Sequence, residues 1–253
     1  MLGIHRAIRT SRLAIILLLL LSPGPETSLA WEQGQQLIVV VTENWNASSG
    51  QLRRFSFQNS RWYQVGSADS IVVGRNGLGW GKGRFPIDDK VPGPRKREGD
   101  KKGPAGMFSL GGAFGIYARQ DVRYIRPSYD MMTSQHRCVD DSNSDYYNQI
   151  LDSSGVPNQD WSHAEPMRRN DSLYDLGFFV NHNVNPAVAH AGTCIFFHLW
   201  KSSVTPTIGC TAMAYSSLSK LLMWIDPIKD PLLVQLPLPA YRFFQDSWRL
   251  PNF

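Results

Sequence analysis

Two residues in the C-terminal third of the chain have the right types and spacing to do chemistry together. Cys210 sits in TPTIGCTAM (205–213), and His198 lies near the end of IFFHLW (195–200), twelve residues earlier. A cysteine attacks as its thiolate, and an imidazole in hydrogen-bond reach can take the thiol proton and later deliver it to a leaving group. Gly209 has no Cβ, so a substrate carbonyl can approach the main chain there. The consecutive N–H groups of Gly209, Cys210 and Thr211 are then candidates to face a developing oxyanion. These parts suit acyl transfer through a thioester. The competing use of Cys210 is plain packing, since free cysteines are among the most buried residue types.

The chain has three cysteines, Cys138, Cys194 and Cys210. In an oxidising compartment a Cys138–Cys194 bridge leaves Cys210 free, whereas a Cys194–Cys210 bridge removes the nucleophile. Both pairings stay open, with the first, or no bridge, preferred because Cys194 in TCIFFH falls on an alternating strand that calls for a small buried side chain. None of the cysteines and histidines forms a CxxC or HExxH spacing, so no metal site is expected. His136, His163, His182 and His190 read as surface or hydrogen-bonding residues. The glycine-rich GRNGLGWGKG (74–83) lacks the lysine-serine/threonine ending of a phosphate loop and reads as a turn.

The compartment follows from the N-terminus. Arg6, Arg9 and Arg12 precede the apolar run LAIILLLLL (13–21), then Pro23, Pro25 and the small-residue end SLA (28–30). This pattern predicts a signal peptide over 1–30, and an exported chain over 31–253 destined for the periplasm or the extracellular cell wall. The run is shorter than the roughly 20 apolar residues of a membrane-spanning helix, and no integral membrane segment is expected after cleavage. Cleavage leaves 23 Lys+Arg and 20 Asp+Glu, a net charge of +3. That excess is too small to indicate nucleic-acid binding, although it suits an acidic polymer.

The elements that must position the two residues are mostly strands. QQLIVVVTENW (35–45) is rich in β-branched residues, RRFSFQNSRWYQVG (53–66) alternates around an Asn-Ser turn, and SIVVGRNGLGWG (70–81) runs into an Asn-Gly step. GPAGMFSLGGAFGI (103–116), LYDLGFFVNHN (173–183) and TCIFFHLW (193–200) continue the pattern, with the last strand ending near His198. Short helices are predicted over 144–154 and, more clearly, over 216–227, where a serine start, Leu218, Leu221, Leu222 and Ile225 precede Pro227. The chain reads as one mainly β domain.

Taken together, IFFHLW followed by PTIGCTAM resembles the signature of the L,D-transpeptidase catalytic domain family (YkuD-like, also called ErfK/YbiS/YcfS/YnhG). In that family a histidine strand precedes a glycine-cysteine. The resemblance extends to GRNGLGWGKG, KREGDKKGPAGMFSLGGAFG (96–115), CVDDSNSDYYNQI (138–150), WSHAEPMRRNDSLYDLGFFVNHN (161–183) and IDPIKDPLLVQLP (225–237), all similar to blocks of a secreted branch. It implies an L,D-transpeptidase-like β-sandwich with a few short peripheral helices. It also implies a nucleophile at Cys210, a base and acid at His198, and the glycine before the nucleophile at Gly209.

The implied reaction is attack on an acyl-D-amino-acid bond of a peptidoglycan stem peptide, release of D-alanine and transfer of the acyl group to an amine, with no cofactor. Thr207 fits the first place of the signature and is a candidate substrate-binding residue. Asn183 is a second candidate for that role, and together with backbone carbonyls a candidate to orient His198. The departures are Ile208 in place of the signature histidine, Ala212 in place of its arginine, and Gly103 before Pro104 where the family has threonine. They bear on the donor site and on transfer as opposed to hydrolysis. The alternatives are therefore an L,D-carboxypeptidase or endopeptidase with the same nucleophile, and a cell-wall binding protein that keeps the fold without the chemistry.

Overall fold

The computed structural model describes residues 29–253, so the predicted signal peptide lies almost wholly outside the described residues. The strands are β1 Gln36–Thr42, β2 Ser49–Gln58, β3 Arg61–Gln64, β4 Asp69–Val72, β5 Leu78–Trp80, β6 Gly103–Gly115 and β7 Tyr129–Met131. They continue as β8 His136–Val139, β9 Ile150–Asp152, β10 Ala164–Pro166, β11 Leu176–Val180, β12 Phe196–Leu199, β13 Thr211–Met213 and β14 Leu232–Pro237. Two α-helices are described, α1 Tyr215–Trp224 and α2 Leu238–Phe244. The protein is mainly β, as the sequence predicts.

The main sheet follows the order β1-β14-β6-β11-β12-β13-β4-β2, and β2 pairs again with β1, so the hydrogen bonding closes into a ring. The sequence-based expectation is a sandwich of two sheets; the ladder described is one closed circuit. The reason lies in β1, whose run of Leu37, Ile38, Val39 and Val40 pairs along both edges, parallel to β14 and antiparallel to β2. Such a strand is buried on both faces and accordingly reads as a continuous apolar run. Helix α2 packs against β14 and β1, and α1 against β11 and β12. Leu218, Leu221 and Leu222 are the buried face of α1.

The β2–β3 hairpin turns at Asn59 and Ser60, both with positive φ, a conformation that tight two-residue hairpins require. The helix expected over 144–154 does not form. Its serine start is captured elsewhere: Ser144 Oγ and the Asp145 N–H both donate to the Asp160 carboxylate. Asn148 adopts φ 64° and its side chain bridges to the carbonyls of His182 and Asn183 while accepting the Cys194 N–H. Tertiary hydrogen bonds override a weak local helical preference here. The segment then runs into β9 instead.

β9 belongs to a separate three-stranded sheet, ordered β10-β8-β9. A disulfide between Cys138 of β8 and Cys194, just before β12, ties this small sheet to the ring. Cys210 remains a free, buried thiol. The pairing that would have removed the nucleophile is thus the one not formed. Among the described residues no helix is long and apolar enough to cross a membrane.

Two outcomes follow. Thiol titration in denaturant should find one thiol per chain before reduction and three after it. Because the bridge closes a segment with a sequence separation of 56, a C138S/C194S double variant should lose about 4 kcal/mol of stability in denaturant unfolding.

Candidate active site

Thr207 builds the turn that presents Cys210. Its hydroxyl donates to the Cys210 carbonyl at 2.6 Å and accepts the Gly209 N–H at 3.1 Å, while its main chain bridges to Gly74. Gly209 has φ 157°, which L side chains seldom adopt. A Cβ built there would meet Lys102 O at 3.4 Å, an ordinary contact, so the backbone angle rather than crowding favours glycine. Thr207 is therefore primarily a turn-former, although it also lines the cleft beside His198.

From this turn the chain enters β13, which runs parallel to β12 with His198 opposite Ala212 and Phe197 opposite Thr211. Side chains alternate along a strand, so Phe196 and His198 share a face with Ala212 and, one step beyond the strand, Cys210. Thr211 points to the other face, where its hydroxyl donates to Gln235 Oε1 at 2.7 Å. Any oxyanion role for Thr211 is thus confined to its main chain. The Gly209 N–H expected for the same task is already engaged by Thr207 Oγ1.

The thiol of Cys210 donates to Cys194 O and accepts the Phe196 N–H, both at 3.4 Å. His198 Nδ1 lies 2.7 Å from Leu199 O. A carbonyl only accepts, so Nδ1 carries the proton and Nε2 is the basic nitrogen. A backbone carbonyl is therefore the orienting group. Both residues are buried, at 6% and 5% exposure. Burial pushes the Cys210 thiol up to about 12, with the Glu165 carboxylate acting in the same direction. Burial also pulls the His198 imidazole down to about 4. At rest the pair is a neutral thiol and a neutral imidazole.

Asn183 stands apart from this pair. Its side chain donates to the carbonyls of Val188 and Gly192 and accepts the Val188 N–H, which clamps the loop 183–192. It lines neither cleft at Cys210 and is corrected from a substrate or His198 partner to a loop anchor.

The small sheet and the segment after it supply residues that spacing did not single out. Glu165 of β10 lies directly opposite Cys138 in register. Its Oε1 accepts the Tyr174 hydroxyl at 2.7 Å and meets Arg169 at 3.2 Å. Arg169 is also bonded through two nitrogens to Asp171 and lies 5.0 Å over the Tyr174 ring. The Tyr174 ring in turn meets the His198 ring edge-to-face at 5.0 Å. Desolvation raises the Glu165 carboxyl, against the Tyr174 hydrogen bond and the Arg169 charge. The available signal was the density of charged groups in AEPMRRNDSLY, which belongs to one of the blocks quoted above.

Two clefts meet at Cys210. One, of about 200 Å³, is lined by His198, Trp200, Pro206, Thr207 and Ala212. The other, of about 280 Å³, is lined by Lys96, Glu98, Lys101, Asp140 and Thr193. Cys210, Glu165, Tyr174 and Ile208 border both. Ile208, the first departure from the family signature, is 68% exposed on the shared rim, and Ala212, the second, is fully buried beside His198. Among the described residues no cluster of potential metal ligands occurs.

No family model and no curated protein matches the chain. Among solved structures it is similar to the helical cell shape determining protein Pgp2 from Campylobacter jejuni, with 13% identity and a TM-score of 0.42 over 84% of this chain and 51% of that one. It is also similar to Bdellovibrio bacteriovorus Bd1075, with 13% identity and a TM-score of 0.39 over 80% of this chain and 48% of the other. The chain spans about half the length of these structures.

The buried imidazoles make stability depend on pH. His198 and His182 both have folded values of about 4 against an ordinary 6.5, so between those limits the unfolded chain binds more protons. Their contribution is complete above pH 6.5 and lost as pH falls through 4, by roughly 3 kcal/mol each. Denaturant midpoints measured across this window should fall with pH. A His198→Gln variant should lose about half of that slope.

Proposed function

We propose that the chain is a secreted L,D-transpeptidase-like cysteine acyltransferase acting on peptidoglycan stem peptides, as the sequence resemblance implies. The observation that carries this reading is the sharing of one face and one cleft by Cys210 and His198, with Cys210 left out of the disulfide. The cell-wall partner and export to the periplasm or wall belong to the same reading. So does the assignment of residues 1–30 to a signal peptide.

In this mechanism the substrate fills the clefts and displaces water. His198 Nε2 takes the thiol proton as Cys210 Sγ attacks the carbonyl carbon of the acyl-D-alanine bond. The tetrahedral intermediate collapses, the C–N bond breaks, and the imidazolium gives its proton to the departing D-alanine amine. A thioester remains on Cys210. An acceptor amine then attacks the thioester carbonyl, His198 takes the amine proton, and the sulfur leaves and is reprotonated. The Leu199 carbonyl keeps Nε2 as the basic nitrogen throughout. Because thiol and imidazole are neutral at rest, the proton moves during attack rather than before it.

Incubation with muropeptides, and separately with a carbapenem, should give a mass adduct on Cys210 that is absent in Cys210→Ala. His198→Ala should slow its formation by about 10²–10⁴-fold. Release of D-alanine with cross-linked dimers supports transfer, and release without dimers assigns the chain to hydrolysis. A folded protein that forms no adduct with either reagent overturns the enzymatic reading and leaves a cell-wall binding protein.

A further inference from the structure

His198 lines one of the two clefts that meet at Cys210 and does not line the other. In the reaction proposed above its Nε2 gives a proton to the departing amine, so that amine lies in the His198 cleft. The carboxyl carbon of an α-amino acid stands two bonds from its amine nitrogen. A residue leaving from the end of a chain therefore brings a carboxylate into this cleft, whereas a bond cut inside a chain brings a neutral amide.

Besides the neutral His198, the titratable charges on this cleft are Glu165, Arg169 and Lys201. The first two are already engaged. Every guanidinium nitrogen of Arg169 is used, Nε and Nη2 on Asp171 and Nη1 on Glu165, and Glu165 also accepts the Tyr174 hydroxyl. Lys201 is exposed at the rim and makes no ion pair among the described residues.

The main chain on either side of Lys201 is fixed. The Trp200 N–H donates to the Met213 carbonyl at 3.0 Å, and the hydroxyls of Ser202 and Thr205 bond at 2.7 Å across the turn that follows. Ala212, which stands where the family signature has an arginine, lines the same cleft. The β13 wall thus lacks that cation, and Lys201 supplies one from just beyond the end of β12.

We propose that Lys201 determines specificity at this site, its ammonium binding the free α-carboxylate of the residue that leaves, so that a single C-terminal residue is removed and bonds inside a chain are disfavoured. A substrate that fills the cleft displaces water from this contact, and a hydrogen bond between charged groups then changes the rate by about tenfold or more. The proposal rests on the acyl-transfer reading of Cys210 and His198. It holds whether an amine or water completes the cycle.

The test is a competition on the intact, disulfide-bonded protein between a stem tetrapeptide ending in D-alanine and the same peptide with a C-terminal amide. The ratio of D-alanine to D-alaninamide released at low conversion gives the ratio of kcat/KM. It should favour the carboxylate by about tenfold or more, fall toward unity in Lys201→Gln, and be largely restored in Lys201→Arg. A merely misfolded variant loses both products alike and keeps the ratio. A native ratio near unity, or a ratio unchanged in Lys201→Gln, overturns the proposal and leaves acyl transfer at Cys210 standing. Release of neither product by the folded native protein overturns the acyl-transfer reading, and this proposal with it.

Discussion

The Cys138–Cys194 bridge is the constraint on which the rest of the site depends. It joins a small three-stranded sheet to the closed ring at the point where the free thiol lies, since the carbonyl of Cys194 accepts a hydrogen bond from the Cys210 thiol. On the other side of the bridge, Cys138 stands opposite Glu165. From Glu165 the contacts run through the Tyr174 hydroxyl to a ring that meets His198. His198 faces Ala212, two residues after Cys210. The bridge therefore closes a circuit of contacts around the sulfur.

The chemistry of the pair follows from that enclosure. Removing a thiol and an imidazole from water disfavours both charged forms, so the thiol rises and the imidazole falls. A pair with that separation does not sit as thiolate and imidazolium. It stays neutral until a substrate supplies an electrophile and excludes the remaining water. The same neutrality slows unwanted oxidation, because oxidants and disulfides react with thiolate.

Much of the scaffold was legible beforehand. The β-branched run at 36–42, the Asn59-Ser60 hairpin, the strand that ends near His198 and the helix with Leu218, Leu221 and Leu222 on one face all carry local periodicity strong enough to survive folding. The segment 144–154 had only a serine start and scattered apolar residues, and Asp160 and Asn148 redirected it through contacts that no local window contains. Closure of the ring was equally out of reach, since it depends on β1 meeting β14 nearly two hundred residues later.

The site divides along the same line. Residue type and order determined Cys210, His198 and Gly209 as a candidate acyl-transfer set, because the presence of a thiol, of an imidazole and of a residue without Cβ is fixed by residue type alone. Tertiary structure decided which cysteines pair, that Thr207 holds the turn, that Asn183 anchors a loop, and that Glu165, Arg169 and Tyr174 wall the cleft. Those outcomes rest on distance and desolvation between segments far apart in the chain. Neither quantity exists until the small sheet is fastened to the ring.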